Sequence, residues 1–188
     1  MFVAVDGLNM LHALRAQDSG TTNLDLMGIC QVFAKNLNCA DLRIAYFTAL
    51  AGHLDPKPRT AQIRYLEALR ITGVEVRLGE FRAQTEKCST CGTKTFKYQE
   101  KQSDVGIAAT IIHQAASNSV DEILLFSADT DFIPLVNMIT AEYPHVSIRI
   151  VSTVNYLRPV YSTLIRASHG QIRLSPELVA RFQLKLDQ

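Results

Sequence analysis

The sequence predicts an α/β protein: one mainly parallel sheet of about five strands with helices on both faces. Three observations predict it. Short β-branched runs alternate with longer segments whose apolar residues recur at helical spacing. The run at residues 42–50, LRIAYFTAL, is apolar on both faces, as a strand covered on both sides must be. No Pro/Gly/Ser-rich linker, internal repeat or low-complexity stretch divides the chain.

The elements follow in order. Residues 2–6 read as the first strand and 9–15 as a short helix. In 24–37, Leu24, Met27, Cys30, Phe33, Ala34 and Leu37 share one helical face. Strand two spans 42–50, and a helix over 59–71 stops at Gly73. Strand three covers 74–81, a helix 103–117, strand four 122–127, a helix 132–142 and strand five 146–152. Closing helices are expected over 156–168 and 176–186. Ile44, Tyr46, Ile123, Leu125 and Ile148 are the expected core. The polar interval 83–101 breaks the rhythm and reads as an insertion between a strand and the next helix.

Composition sets the outer bounds. The 188 residues, 47% hydrophobic and 20% charged, suit one soluble domain over 1–188. Nineteen Lys and Arg against eighteen Asp and Glu leave a charge of +1, which excludes a uniformly basic coat and an acidic disordered tail. No basic n-region opens the chain, and no stretch approaches the roughly 18 apolar residues that span a bilayer. The expectation is a cytoplasmic protein with no membrane partner. Four cysteines are too few for a disulfide framework and suit a reducing compartment.

Strands of a parallel sheet joined by right-handed crossovers all end on one rim, where ligands bind. Strand one ends in Asp6-Gly7-Leu8-Asn9, strand four in Ser127-Ala128-Asp129-Thr130-Asp131, and the helix after the insertion opens with Ser103-Asp104. Asp6, Asn9, Asp104, Asp129 and Asp131 can therefore meet around one point. Clustered carboxylates repel one another, so a hard divalent cation, Mg²⁺ or Mn²⁺, is their natural counter-charge. Singly, Asn9 and Asp131 also read as helix caps, and Asp104 as a dipole partner. Caps leave Asp6 and Asp129 without an explanation.

Asp6-Gly7-Leu8-Asn9, the segment Glu100-Lys101-Gln102-Ser103-Asp104-Val105, and the segment from Ser127 to Val136 resemble, in order and spacing, the three motifs of the NYN domain family, a branch of the PIN-like nucleases. The resemblance implies a three-layer α/β/α Rossmann-like (PIN-like) sandwich and a metal-dependent endoribonuclease. It carries the metal role onto Asp6, Asp104, Asp129 and Asp131, with Asn9 as a polar partner. Asp6 and Asp129 would be direct ligands, Asp104 and Asp131 direct or water-bridged, and Asn9 would orient the water or a phosphate oxygen. The chain departs from the pattern at Ala128, where many relatives have Gly, and at Thr110, where they have a further acid. A PIN-like module that holds RNA or protein without turnover is the competing class.

Between 82 and 101, Arg82, Lys87, Lys94, Lys97 and Lys101 outnumber Glu86 and Glu100 by three, so the insertion is the basic patch. With Phe96 and Tyr98 as stacking surfaces, and with Lys57, Arg59 and Arg64 extending the track on the same rim, it suits RNA, single-stranded or structured, transfer RNA included. Neither His12 nor His113 is assigned a role. Cys88 and Cys91 form a CxxC, half of a structural Zn²⁺ site. The alternatives for that pair are completion by a histidine such as His53, completion by a second copy in a homodimer, a local disulfide, or two idle thiols.

Overall fold

The computed structural model describes residues 1–17, 23–52, 55–87, 89–153 and 161–184. Its strands are β1 (Phe2–Asp6), β2 (Arg43–Ala49), β3 (Glu75–Lys87), β4 (Lys94–Lys101), β5 (Glu122–Phe126), β6 (Ser147–Thr153) and β7 (Gln171–Leu174). Its helices are α1 (Gly7–Gln17), α2 (Leu26–Asn36), α3 (Pro56–Ile71), α4 (Ser103–Ala116), α5 (Ile133–Glu142), α6 (Tyr161–Ala167) and α7 (Pro176–Arg181), with a 3₁₀ turn at Thr130–Phe132. One sheet of order β4-β3-β2-β1-β5-β6-β7 is parallel throughout except for the antiparallel β3–β4 pair.

Side chains alternate across the strands and divide the core into two layers. Val3 and Val5 of β1 join α1, α2, α3 and α7 on one face, through residues such as Leu14, Ile29, Phe33, Leu69 and Val179. Phe2 and Ala4 join α4, α5 and α6 on the other, through Ile107, Ile111, Val136 and Leu164. The expected core residues Ile44, Tyr46, Ile123, Leu125 and Ile148 are all buried. The three-layer sandwich expected from the sequence is the fold observed.

The sheet has seven strands where about five are expected. One addition is β7, a four-residue strand between α6 and α7, too short to carry a period of its own. The other corrects the reading of 83–101 as an irregular insertion: β3 runs on to Lys87 and pairs with β4 as a hairpin. Both hairpin faces meet solvent, so no buried alternation marks these strands. The helix expected from residue 59 starts at Pro56, because proline in a first turn has no N–H to lose. Residues 156–160 and 185–186 of the expected closing helices lie outside the described residues.

Topology selects the place for a ligand. From β1 the chain adds β2 and β3 on one side, then returns to place β5 against the other edge of β1. The C-terminal ends of β1 and β5 therefore flank the switch point of the sheet, where a crevice opens. Immediately after β1, Gly7 admits no side chain, since a Cβ there would lie 2.5 Å from Tyr46 Cζ and 2.8 Å from the Phe47 carbonyl oxygen. Gly7→Ala is expected to lower stability by about 1–3 kcal/mol through this overpacking. Urea denaturation checks it, and an unchanged midpoint would show that β2 gives way freely.

Candidate active site

The site begins with the last residue of β1. Asp6 Oδ1 accepts the Asn9 backbone N–H at 3.0 Å, which makes Asp6 the cap of α1, and Asp6 Oδ2 accepts the Ser127 hydroxyl at 2.9 Å. Ser127 Oγ in turn accepts the Asp129 N–H at 3.1 Å, and Asp129 Oδ1 accepts the Asp131 N–H at 2.9 Å. Asn9 Oδ1 accepts the Ala128 N–H at 3.0 Å. Two of these bonds, Ser127 to Asp6 and Ala128 to Asn9, thus lace the loop after β5 to the end of β1 and the first turn of α1, and the other three brace the segments internally. The sequence expectation for the caps is reversed: Asp6 and Asp129 cap, whereas Asn9 ties two segments together and Asp131 stands in the turn that Asp129 caps.

Asp6, Asn9, Asp104 and Asp129 line one cleft of about 400 Å³, whose other wall includes Phe81, Tyr98 and Glu100. His12 reaches the same cleft. His113 sits in the last turn of α4, at the far end of that helix. Asp131 is exposed and outside the cleft lining, although its charge is felt by Asp104. Thr110 is buried away from the cleft, accepting a hydrogen bond from Arg77 Nη1 and donating to the Gly106 carbonyl at 2.7 Å. Threonine at that position therefore takes no acid out of the cleft lining.

The electrostatics are those of acids short of a counter-charge. Asp6 is 7% exposed, and burial, with smaller contributions from Asp104 and Asp129, pushes its carboxyl up to about 6 against the hydrogen bonds from Asn9 and Ser127. Burial also raises Asp104, helped by Asp129 and Asp131 and opposed by Lys101. Glu100 is the residue missed from the sequence: burial raises it, and Asp6 and Asp104 add to the effect against a hydrogen bond from the Ser103 hydroxyl. Its signal was its place in the Glu100–Asp104 motif, but only the β4 register turns it to the cleft. Gln102 forms the sharp corner between β4 and α4 with φ 79°, held by its Nε2 on Glu80 Oε1 at 2.8 Å.

The donor set suits a hard cation in kind, being all oxygen and carrying uncompensated negative charge. Among the described residues no three His, Cys, Asp or Glu side chains gather closely enough to enclose an ion. Hard cations such as Mg²⁺ usually take one or two protein carboxylates and complete their shell with water and substrate phosphate.

The basic residues are more dispersed than the sequence suggests. Arg82 pairs with Glu80, and Lys97 Nζ lies 3.5 Å from Glu86, though pairs this exposed hold by less than about 1 kcal/mol. Lys101 stands beside Asp104, Lys94 at the hairpin tip, and Arg59 exposed on α3, outside both clefts beside the hairpin. Lys57 is likewise exposed on α3, whereas Arg64 makes its own interaction there. Cys88 and His53 lie outside the described residues. Cys91 is exposed at the turn, its thiol 3.2 Å from Thr93 Oγ1, while Cys30 is buried in α2 and Cys39 precedes β2 on the opposite rim.

The family model of the NYN domain matches residues 1–169, nearly the whole chain. The chain belongs to the NYN domain family. NYN domains belong to the PIN-like nuclease superfamily. This NYN domain is also 34% identical over 79 residues to the 6-hydroxy-3-succinoylpyridine 3-monooxygenase of Pseudomonas putida, a match covering 40% of the chain and 24% of that protein. The chain thus spans about a quarter of the length of that curated relative. A crystal structure of a protein of unknown function from Vibrio parahaemolyticus superposes with TM-score 0.65 at 23% identity, covering 97% of this chain and 94% of that one. It shows the same fold. No helix among the described residues is long and apolar enough to cross a membrane.

Asp6 makes stability depend on pH. Its carboxyl rises from 3.8 to about 6 on folding, so its contribution is fully present below pH about 4 and is lost as pH rises through about 6. In chelator, Asp6→Asn should be more stable than wild type above pH 6, by at most on the order of 3 kcal/mol, with the gain gone near pH 4. Denaturation curves across pH test this. A gain independent of pH would mean that the carboxyl carries no ionisation cost.

Proposed function

We propose that this NYN domain is a metal-dependent endoribonuclease hydrolysing RNA phosphodiester bonds in the acidic cleft. The observation that carries the reading is the convergence of Asp6, Asp104 and Asp129 at the sheet's switch point, in a cleft walled by a cation-bearing hairpin. The membership of a nuclease superfamily supports it independently.

Asp6 and Asp129 are the ligand candidates for Mg²⁺ or Mn²⁺, with Asp104 lining the same cleft and Asp131 contributing through charge. When bound, a divalent cation supplies an acidified water and offsets the negative charge that gathers on the phosphoryl oxygens. The Ser127 and Asn9 hydrogen bonds fix Asp6 and the β5 loop before substrate arrives. Glu100, aligned by Ser103, is placed to accept a proton or orient water at the cleft wall. Arg82, Lys94, Lys97 and Lys101, with Arg59 on the same rim, raise the local potential for a polyanion, and Tyr98 offers a ring to a base. No membrane partner is needed, and a cytoplasmic setting suits the RNA substrate.

Asp6→Asn and Asp129→Asn should each abolish cleavage of unstructured RNA while the fold persists, because an amide keeps the shape but loses the charge that retains the cation. Chelation should do the same to wild type, and p-nitrophenyl phosphate should not be turned over. Unchanged cleavage by the double variant, purified free of host ribonuclease, would end this reading and leave an RNA- or protein-binding module. Glu100→Gln should slow cleavage about 10- to 100-fold without unfolding the protein.

A further inference from the structure

The β3–β4 hairpin has two chemically different faces, and its register assigns every side chain to one of them. Directly paired residues of an antiparallel ladder point to the same side, and the side alternates with each step. The pairs Phe81–Glu100, Ala83–Tyr98, Thr85–Phe96 and Lys87–Lys94 therefore share one face. Glu80–Lys101, Arg82–Gln99, Gln84–Lys97 and Glu86–Thr95 share the other. The ion pairs Arg82–Glu80 and Lys97–Glu86 both lie on that second face, as this assignment requires.

The first face has an order along its length. It starts in the acidic cleft with Glu100 and Phe81, rises through Tyr98, 45% exposed, and Phe96, 72% exposed, and ends at the tip on Lys94 and Lys87. Because β3 runs parallel to β1, its continuation past Gly79 carries this face beyond the very rim on which Asp6 sits. From Glu100 to Lys94 the strand spans about 20 Å, with successive side chains of the face ~7 Å apart. Phe81 and Tyr98 also line a second, adjoining cleft of about 450 Å³ with Leu50, Leu78 and Gly79. The aromatic ridge therefore parts the acidic cleft from a second one, lined by Leu50, Leu78 and also Glu80, that is large enough for a base.

We propose that this face is a track for unpaired RNA: bases stack on Tyr98 and Phe96, Lys87 and Lys94 hold backbone phosphate at the tip, and the strand is led down into the acidic cleft. The proposal rests on the nuclease reading for the class of ligand and adds which RNA is taken and from which side. A ring can stack only on a base that is out of its pair, so the face selects single strands over duplex. Duplex binding relies on many phosphate contacts, and this face offers two cations.

The test is fluorescence anisotropy in chelator, with wild-type protein and a labelled oligoadenosine, alone or annealed to oligouridine. Wild type should bind the single strand at least about 10-fold more tightly than the duplex. Phe96→Ala and Tyr98→Ala should each weaken single-strand binding about 10-fold, as the loss of a stacked base does, and Phe96→Trp should restore it. Gln84→Ala and Thr95→Ala, on the opposite face, should bind as wild type. Lys87→Ala with Lys94→Ala should lower the slope of log Kd against log salt by about 1.4. Equal affinity for duplex, no binding, unchanged binding by the aromatic variants, or equal weakening by opposite-face variants would each overturn the track. So would sedimentation showing that Phe96→Ala dissolves a dimer while RNA binding is unaffected. Binding that follows the aromatic face in a protein that never cleaves would overturn the nuclease reading alone. Cleavage of single strands that the aromatic variants leave unimpaired would overturn the track alone.

Discussion

The carboxylate of Asp6 is the constraint on which the rest of the site depends. It is buried at the end of the central strand, and its two oxygens serve two different segments: one caps α1, the other takes the Ser127 hydroxyl from the neighbouring strand's loop. A buried carboxylate held by only a backbone N–H and a hydroxyl remains costly to ionise, and its value near 6 states that cost. A cation in the cleft would remove it. Local architecture and the chemistry proposed for it thus act through the same atoms.

That dual use explains why single-residue interpretations of the acids mislead. Asp6 and Asp129 are caps in their own right, so their presence at element ends has an ordinary structural cause. What caps do not explain is the company they keep. Asp104 comes from a helix nearly a hundred residues from Asp6 along the pair of crossovers that the sheet imposes, and Glu100 from a strand that turns back on itself. The charge of Asp104 is felt at both Asp6 and Glu100, and Asp129 raises Asp6 and Asp104 alike, a penalty that folding alone gives no reason to accumulate at one rim.

The hairpin extends the sheet beside this site at small cost to the core. The sheet proper is covered on both faces, whereas the extension of β3 past Gly79 is wetted on both sides and contributes nothing to either hydrophobic layer. Gly79 permits the departure, since a Cβ there would collide with the Lys101 carbonyl at the hairpin's base. Residues freed from packing are available for contact with a ligand, and here they form a polar segment interleaved with aromatic rings beside the acids.

The sequence by itself determined the α/β class, the order of the main elements, the buried strands and the rim on which Asp6, Asn9, Asp104 and Asp129 meet. These follow from local periodicity and from the fixed handedness of parallel crossovers, both of which are written in short windows of residues. Only the tertiary structure decided that 83–101 is a hairpin, that β7 joins the sheet, that Glu100 faces the cleft and that Asp131 does not line it. Each of these depends on pairing between segments whose side chains meet solvent or on a register set by a distant strand, and neither leaves a hydrophobic period to read. The roles of Asn9 and Ser127 are of the same kind: a hydrogen bond between loops 119 or 121 residues apart has no signature until the strands bring its ends together.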